Sequence, residues 1–186
     1  MGFHLKHQGF VVWLTGLPGS GKTTIGRSLL VQLQELQLRA ELLDGDEVRR
    51  QLSPDLGFTK ADRETHARRV VYLSKLLAKN GIITLVSLIA PYRSFREYAR
   101  REIVDYVEAY VKTPLETCIK RDPKGLYKKA LKGEITDMTG LQDPYEEPQN
   151  PELVIETERF TVEESARLIL SKLKELKYIP QVNFNV

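Results

Sequence analysis

Apolar stretches of strand length alternate along this chain with longer segments in which apolar residues recur every three or four positions. The pattern predicts strands near 10–15, 40–43, 82–90, 106–112 and 152–157, and helices near 22–37, 60–80, 95–104 and 162–177. Strands that alternate with helices in this way indicate βαβ units. The expected fold class is therefore α/β, with a mostly parallel five-stranded sheet and helices on both faces. The last helix has a clear start, because Thr161 followed by Glu164 is a capping box. Ligands of open parallel sheets bind beyond the carboxyl ends of the strands, so the loops after residues 15, 43 and 90 should converge on one crevice.

A long segment from Arg121 to Pro151, rich in Lys, Gly and Pro, separates the last two strands. Its middle, Gly125 to Lys132, suits a short helix. Asp143-Pro144-Tyr145-Glu146-Glu147-Pro148 should be extended, since the residue before proline avoids the α region. Loops of this length are functional lids or disordered. The basic residues favour a lid, roughly 121–151, that closes over bound phosphates and excludes water.

Composition narrows the picture without naming a function. The 186 residues suit one domain spanning 1–186, and no compositional break divides them. A net charge of +3, from 28 basic and 25 acidic residues, does not demand a nucleic-acid partner. The longest apolar run, Ile82 to Ala90, is too short to cross a bilayer, and the N-terminus lacks the pattern of a signal peptide. A cytoplasmic location is the expectation. The single cysteine, Cys118, cannot form an internal disulfide and reads as a small buried apolar residue rather than a nucleophile. His4 and His7, near the N-terminus, read as inert.

Chemistry enters with Gly16-Leu17-Pro18-Gly19-Ser20-Gly21-Lys22-Thr23, which fits G-x-x-x-x-G-K-[ST]. It follows an apolar strand and opens a helical pattern, the context in which this motif is a P-loop rather than a glycine-rich turn. Glycines let consecutive amides turn inward, forming a phosphate cradle at a positive helix N-terminus. Lys22 would reach the β- and γ-phosphates, and the Thr23 hydroxyl would face Mg²⁺. The fold expectation sharpens to a P-loop NTPase fold with a lid.

Directly after the second strand comes Leu43-Asp44-Gly45-Asp46-Glu47-Val48-Arg49. One of its carboxylates could accept the proton of a substrate hydroxyl that attacks phosphorus. Either Asp44 or Asp46 could also cap the helix that follows, and both roles can coexist. Further on, helical spacing sets Arg63, His66 and Arg69 near one face. That stripe is either a solvated surface or a site for an anionic substrate, since guanidinium matches phosphate and sulfate oxygens in a fork. No metal-ligand spacing accompanies His66.

Five separated motifs together resemble the adenylylsulfate kinases. They are Leu43-Asp44-Gly45-Asp46 with Val48-Arg49; Asp55-Leu56-Gly57-Phe58-Thr59 with Asp62-Arg63 and Arg68-Arg69; Pro91-Tyr92-Arg93; Arg121-Asp122-Pro123-Lys124-Gly125-Leu126-Tyr127-Lys128-Lys129-Ala130; and Thr139-Gly140 with Asp143-Pro144-Tyr145-Glu146. The resemblance covers almost the whole chain. It implies ATP-dependent phosphorylation of the 3′-hydroxyl of adenosine 5′-phosphosulfate (APS), giving 3′-phosphoadenosine 5′-phosphosulfate and ADP in sulfate activation. The alternative is a P-loop kinase for another small hydroxyl acceptor of nucleoside, gluconate or shikimate type.

The resemblance also implies roles. Gly16, Gly19, Ser20, Gly21, Lys22, Thr23, Thr24 and Arg121 would bind ATP. Asp46 would be the base, Lys22 would assist catalysis, and Asp44 would support Mg²⁺ through water or orient the acceptor. Arg49 and Arg63 would hold the phosphosulfate, Phe58 would stack on its adenine, and His66 and Lys124 would complete the acceptor site and the lid. A homodimer is the expected assembly. The chain departs from the family pattern at Glu47 and His66, where relatives usually carry Asn, and at Met138, where they carry Phe. It also has Ala90 where many carry a serine held to be phosphorylated, so transfer without a covalent intermediate at that position is expected.

Overall fold

Strand β1 (Val11–Thr15) is central in the sheet and buried along its whole length, with parallel neighbours on both edges, Val11 lying opposite Thr84 on one and Tyr106 on the other, and helices on both faces. The computed structural model describes residues 9–180, so His4 and His7 lie outside the described residues. After β1 the chain runs through α1 (Lys22–Glu35), β2 (Ala40–Asp44), α2 (Gly45–Leu52), α3 (Lys60–Lys79), β3 (Ile83–Ser87) and α4 (Arg93–Glu102). It continues through β4 (Tyr106–Lys112), α5 (Leu115–Arg121), α6 (Leu126–Leu131), β5 (Leu153–Glu156) and α7 (Val162–Glu175). The sheet has five strands in the order β2-β3-β1-β4-β5, and every neighbouring pair is parallel.

The period of two along β1 divides the core into two layers. Val12 and Leu14 pack with Ile25 and Leu29 of α1 and with Ile169 and Leu173 of α7. Val11 and Trp13 pack on the opposite face with Val70 and Val71 of α3 and Ala99 of α4. Helices thus cover both faces. The two longer caps form as local chemistry dictates: Thr161 and Glu164 exchange hydrogen bonds at the head of α7, and Thr59 and Asp62 do so at the head of α3.

Three elements differ from the pattern. Strand β3 stops at Ser87 rather than residue 90, its last partner on β1 being Leu14. The next carbonyls, of Ile89 and Ala90, are taken instead by the side chains of Thr15 and Arg96. Helices α2 and α5 are additional. Each buries a single residue, Val48 and Cys118 respectively, so neither leaves a helical period in the sequence.

The segment after α5 forms a small structure of its own. Cys118, Tyr127, Ala130 and Met138 make a separate apolar cluster, with Leu17 of the P-loop packed against it. The Tyr127 hydroxyl donates to the Pro18 carbonyl at 3.0 Å, fastening the segment to the phosphate loop. Residues 144–148 are irregular, and Met138 is turned into this cluster. Cys118 is fully buried, and burial pushes its thiol pKa up. No described helix is long and apolar enough to cross a membrane.

Candidate active site

The carboxyl ends of β1, β2 and β3 open together into one cavity of about 930 Å³. Its wall draws on residues 18–25, 44–47, 49–50, 87–91, 121–124 and 157, so the three expected loops converge. The P-loop is shaped by its glycines. Gly21, the N-cap of α1, has φ +102°, a left-handed value that L side chains rarely adopt.

Lys22 is nearly buried under this loop, and its ammonium donates to the carbonyls of Gly16 (2.9 Å) and Leu17 (2.7 Å) and to Ser20 Oγ (3.3 Å). Burial pulls its pKa down to about 7. Thr23, one residue on, places its hydroxyl 2.9 Å from Ser87 Oγ at the end of β3. Arg121 lines the cavity from the far side, with its guanidinium on the Thr157 hydroxyl at 3.3 Å.

Asp44 caps α2: its Oδ1 accepts from the amides of Asp46 at 3.0 Å and Glu47 at 3.3 Å. The capping reading of this motif therefore holds for Asp44. Asp46 faces the cavity from the first turn of α2 and forms an ion pair with Lys124, both side chains being more than half exposed. A carboxylate on an exposed first turn remains free to exchange partners.

The acceptor half of the cavity is built around Phe58, which is 56% exposed. The Arg49 guanidinium lies 4.5 Å over its ring and that of Arg63 lies 5.7 Å away. Arg49 also donates to the Gly57 carbonyl, and burial lowers its pKa. Arg63 reaches the wall, but its guanidinium is committed elsewhere. It donates to the Phe58 carbonyl at 2.7 Å, to Thr139 Oγ1 at 3.1 Å and to the Asp137 carbonyl, and it pairs with Asp143 at 3.4 Å. An anion arriving at Arg63 must share it with the lid.

His66 also lines the cavity, 2% exposed, with Nδ1 2.9 Å from Ser53 Oγ and no partner at Nε2. Burial, with Arg49 and Arg69 nearby, lowers its pKa to about 4, so the ring is neutral at physiological pH. Arg69 departs from the expected stripe. It turns away from the cavity to make a two-pronged pair with Asp55 at 2.6 and 2.7 Å and to donate to the Leu52 carbonyl.

Sequence reasoning gave no site role to Ser87, Arg96 or Tyr145, although Tyr145 stands in one of the family motifs. Tyr145 of the lid segment bonds to Thr15, and Arg96 to Ala90 and Glu146. Ser87 closes an apolar strand and leaves no separate signal. Arg96 stands among the charges of α4 and reads as surface.

A phosphate loop at the end of a central strand and a second strand delivering an Asp-Gly-Asp turn to the same cavity define a P-loop kinase. Helical and sheet architecture of this kind is shared with a gluconokinase from Sinorhizobium meliloti, 16% identical with a TM-score of 0.60 over 91% of this chain and 94% of that one. More specifically, the chain belongs to the adenylylsulphate kinase family, whose model matches residues 8–156. It is 53% identical over 173 residues to the probable adenylyl-sulfate kinase of Pyrococcus abyssi, a match spanning 93% of this chain and 99% of that protein. An APS kinase from Mycobacterium tuberculosis, solved in complex with AMPPNP and APS, superposes with a TM-score of 0.88 at 40% identity, over 90% of this chain and 98% of its own.

Proposed function

We propose that this kinase transfers the γ-phosphoryl group of ATP to the 3′-hydroxyl of APS. The observation that carries the reading is the meeting, in one cavity, of a P-loop, an exposed carboxylate at Asp46 and an arginine-flanked aromatic at Phe58. At about 930 Å³ the cavity lies at the upper end of the range for ligand sites.

In the proposed step the P-loop amides and Lys22 hold the ATP phosphates, while Phe58 takes the acceptor adenine on its open face. Arg49 and Arg63 face the phosphosulfate, and His66 offers it a neutral ring. Asp46, released from Lys124, takes the proton of the 3′-hydroxyl as that oxygen bonds to the γ-phosphorus. The bond from phosphorus to the β,γ-bridging oxygen breaks, and ADP leaves with that electron pair. Lys124 and Arg121 then face the phosphates and offset their charge. Little covalent work falls on the protein, so positioning and charge neutralisation supply most of the acceleration.

Mg²⁺ fits the donors present. Thr23 and Ser87 bring hydroxyl oxygens within 2.9 Å of each other, and Asp44 lines the same cavity. Hard oxygen donors supplemented by phosphate and water suit this ion, which would lower the charge of the transferring group when bound. Thr23 would contact it directly and Asp44 through water.

Incubation with ATP, Mg²⁺ and APS should release ADP only when APS is present, with the new phosphate on the 3′-oxygen. A panel including a nucleoside, gluconate and shikimate tests the alternative: faster turnover of any of these rejects APS as the acceptor. Sedimentation of the purified protein tests the homodimer that the family resemblance implies.

A further inference from the structure

Arg96 of α4 is 3% exposed, yet no role in the reaction above falls to it. Its guanidinium reaches three separate segments. Nε lies 3.0 Å from Glu108 Oε1 on β4, Nη1 donates to the Ala90 carbonyl and Nη2 donates to the Glu146 carbonyl of the lid. Glu108 is itself held, by Arg100 at 3.4 Å and through its own amide, which donates to Glu152 Oε2 at 2.6 Å.

The carbonyl that Arg96 holds belongs to a strained residue. Ala90 has φ +43°, in the left-handed region that a side chain disfavours, and it lines the cavity. The preceding carbonyl, Ile89 O, is held as well, accepting from Thr15 Oγ1 at 2.6 Å. The only hydroxyl proton of Thr15 is used there, so the Tyr145 phenol donates to Thr15 at 2.9 Å. Two consecutive carbonyls of one loop are thus fixed by side chains, and the same lid turn is secured beside them. Glu146 N donates to the Pro91 carbonyl at 2.8 Å, and Arg93 N donates to Glu146 Oε2 at 2.7 Å. The loop packs toward α3, where Leu88, Tyr92, Ala67 and Phe95 form one cluster next to His66.

We propose that Arg96, seated on Glu108, is a positioning residue for the acceptor nucleotide: it holds the Leu88–Pro91 wall in its strained shape and fastens the lid against it. The inference rests on the APS reaction proposed above. A guanidinium suits this task because its two Nη groups donate to two carbonyls at once while its charge lies against the Glu108 carboxylate, whereas a lysine ammonium is a single point charge on a flexible stem. The ATP phosphates are held by the P-loop, which Arg96 does not touch, so its effect should fall on one substrate.

Steady-state kinetics of Arg96→Lys and Glu108→Gln, with each substrate varied in turn, test this. Arg96→Lys should raise KM for APS about tenfold or more and lower kcat, with KM for ATP staying within about twofold; Glu108→Gln should do the same more mildly. Adding Ala90→Gly to Arg96→Lys should recover part of the acceptor KM, because glycine holds φ +43° without the clamp. An unchanged acceptor KM in Arg96→Lys, or equal changes in both KM values, would overturn the proposal. Should Arg96→Lys fail to fold, Glu108→Gln and the double variant decide by the same criteria. A wild-type protein that does not phosphorylate APS would instead remove the underlying reaction, and this inference with it.

Discussion

Gly45, between the two aspartates, offers a sharp test of how closely the second strand's turn must approach the third. A Cβ added there would sit 2.7 Å from the Ser87 carbonyl oxygen and 3.1 Å from Leu88 Cδ1. Ordinary contact begins at 3.4 Å, so the first turn of α2 must withdraw by about 0.7 Å, since the obstacle is the backbone end of β3. Asp46 is the next residue and travels with it. Misplacement of a reacting group by about 1 Å can lower rate by about a hundredfold, so Gly45→Ala should lower kcat by roughly ten- to a hundredfold. ATP affinity should change little, because α1 and the P-loop do not move.

The same substitution separates geometry from stability. Alanine gains about 1 kcal/mol of helix propensity over glycine, while overpacking costs about 1–3 kcal/mol, so the net destabilisation is small. Gly81→Ala is the control: it imposes the strain of φ +77° in the turn after α3, about 1–2 kcal/mol, with no route to Asp46. ADP release coupled to NADH oxidation gives kcat, nucleotide titration gives affinity, and thermal melts give stability. A Gly45→Ala protein with wild-type kcat, or one in which Gly81→Ala lowers kcat equally, would refute the reasoning.

Three further outcomes are expected. Asp46→Ala should lower kcat by about a hundredfold or more with ATP affinity within a few-fold, since a base acts in the transition state; near-normal turnover in this variant would leave Asp46 a structural residue. His66 has a folded pKa of about 4 against about 6.5 unfolded, so the unfolded state takes up the proton first. The stability from its neutral burial is present above pH 6.5 and declines by up to about 3 kcal/mol as pH falls toward 4, a slope that denaturant melts should find reduced in His66→Gln. Cys118, fully buried with a raised thiol pKa, should resist aromatic disulfide reagents in the native protein and react at once in denaturant, as absorbance at the thiolate product would record.

The parts of this structure that repeat a period were legible in the chain. Continuous apolar runs such as Phe10 to Leu14 belong to strands buried on both faces, and they are placed where the pattern predicts. Helices α2 and α5 were not, because each buries one residue and a single apolar position has no period. The end of β3 was misread for a different reason. Residues 88–90 are as apolar as the strand, and what ends it is a pair of side chains, Thr15 and Arg96, arriving from 74 residues before and six residues after. Motif spacing gathered Asp46, Phe58, Arg49 and Lys22 at one cavity, yet it gave no hint that Arg63 would be spent on the lid, since its partners Asp137 and Asp143 lie more than 70 residues away.

The side chains assigned to phosphate and proton are already occupied in this conformation. Lys22 rests on two carbonyls and a hydroxyl, Lys124 on Asp46, and Arg63 on Thr139, Asp137 and Asp143. Each contact satisfies a charge that would otherwise stand alone in a half-enclosed cavity, and each must be exchanged when nucleotides enter. Affinity for either substrate is therefore a difference between two sets of charge-assisted hydrogen bonds. The exchange is linked in space. Lys124 and Asp46 are both more than half exposed, and the stretch that carries Lys124 is joined to the P-loop through Tyr127 and Pro18. In the proposed reaction a phosphate seated in the P-loop would compete with Asp46 for the Lys124 ammonium, so donor binding and release of the carboxylate would be coupled.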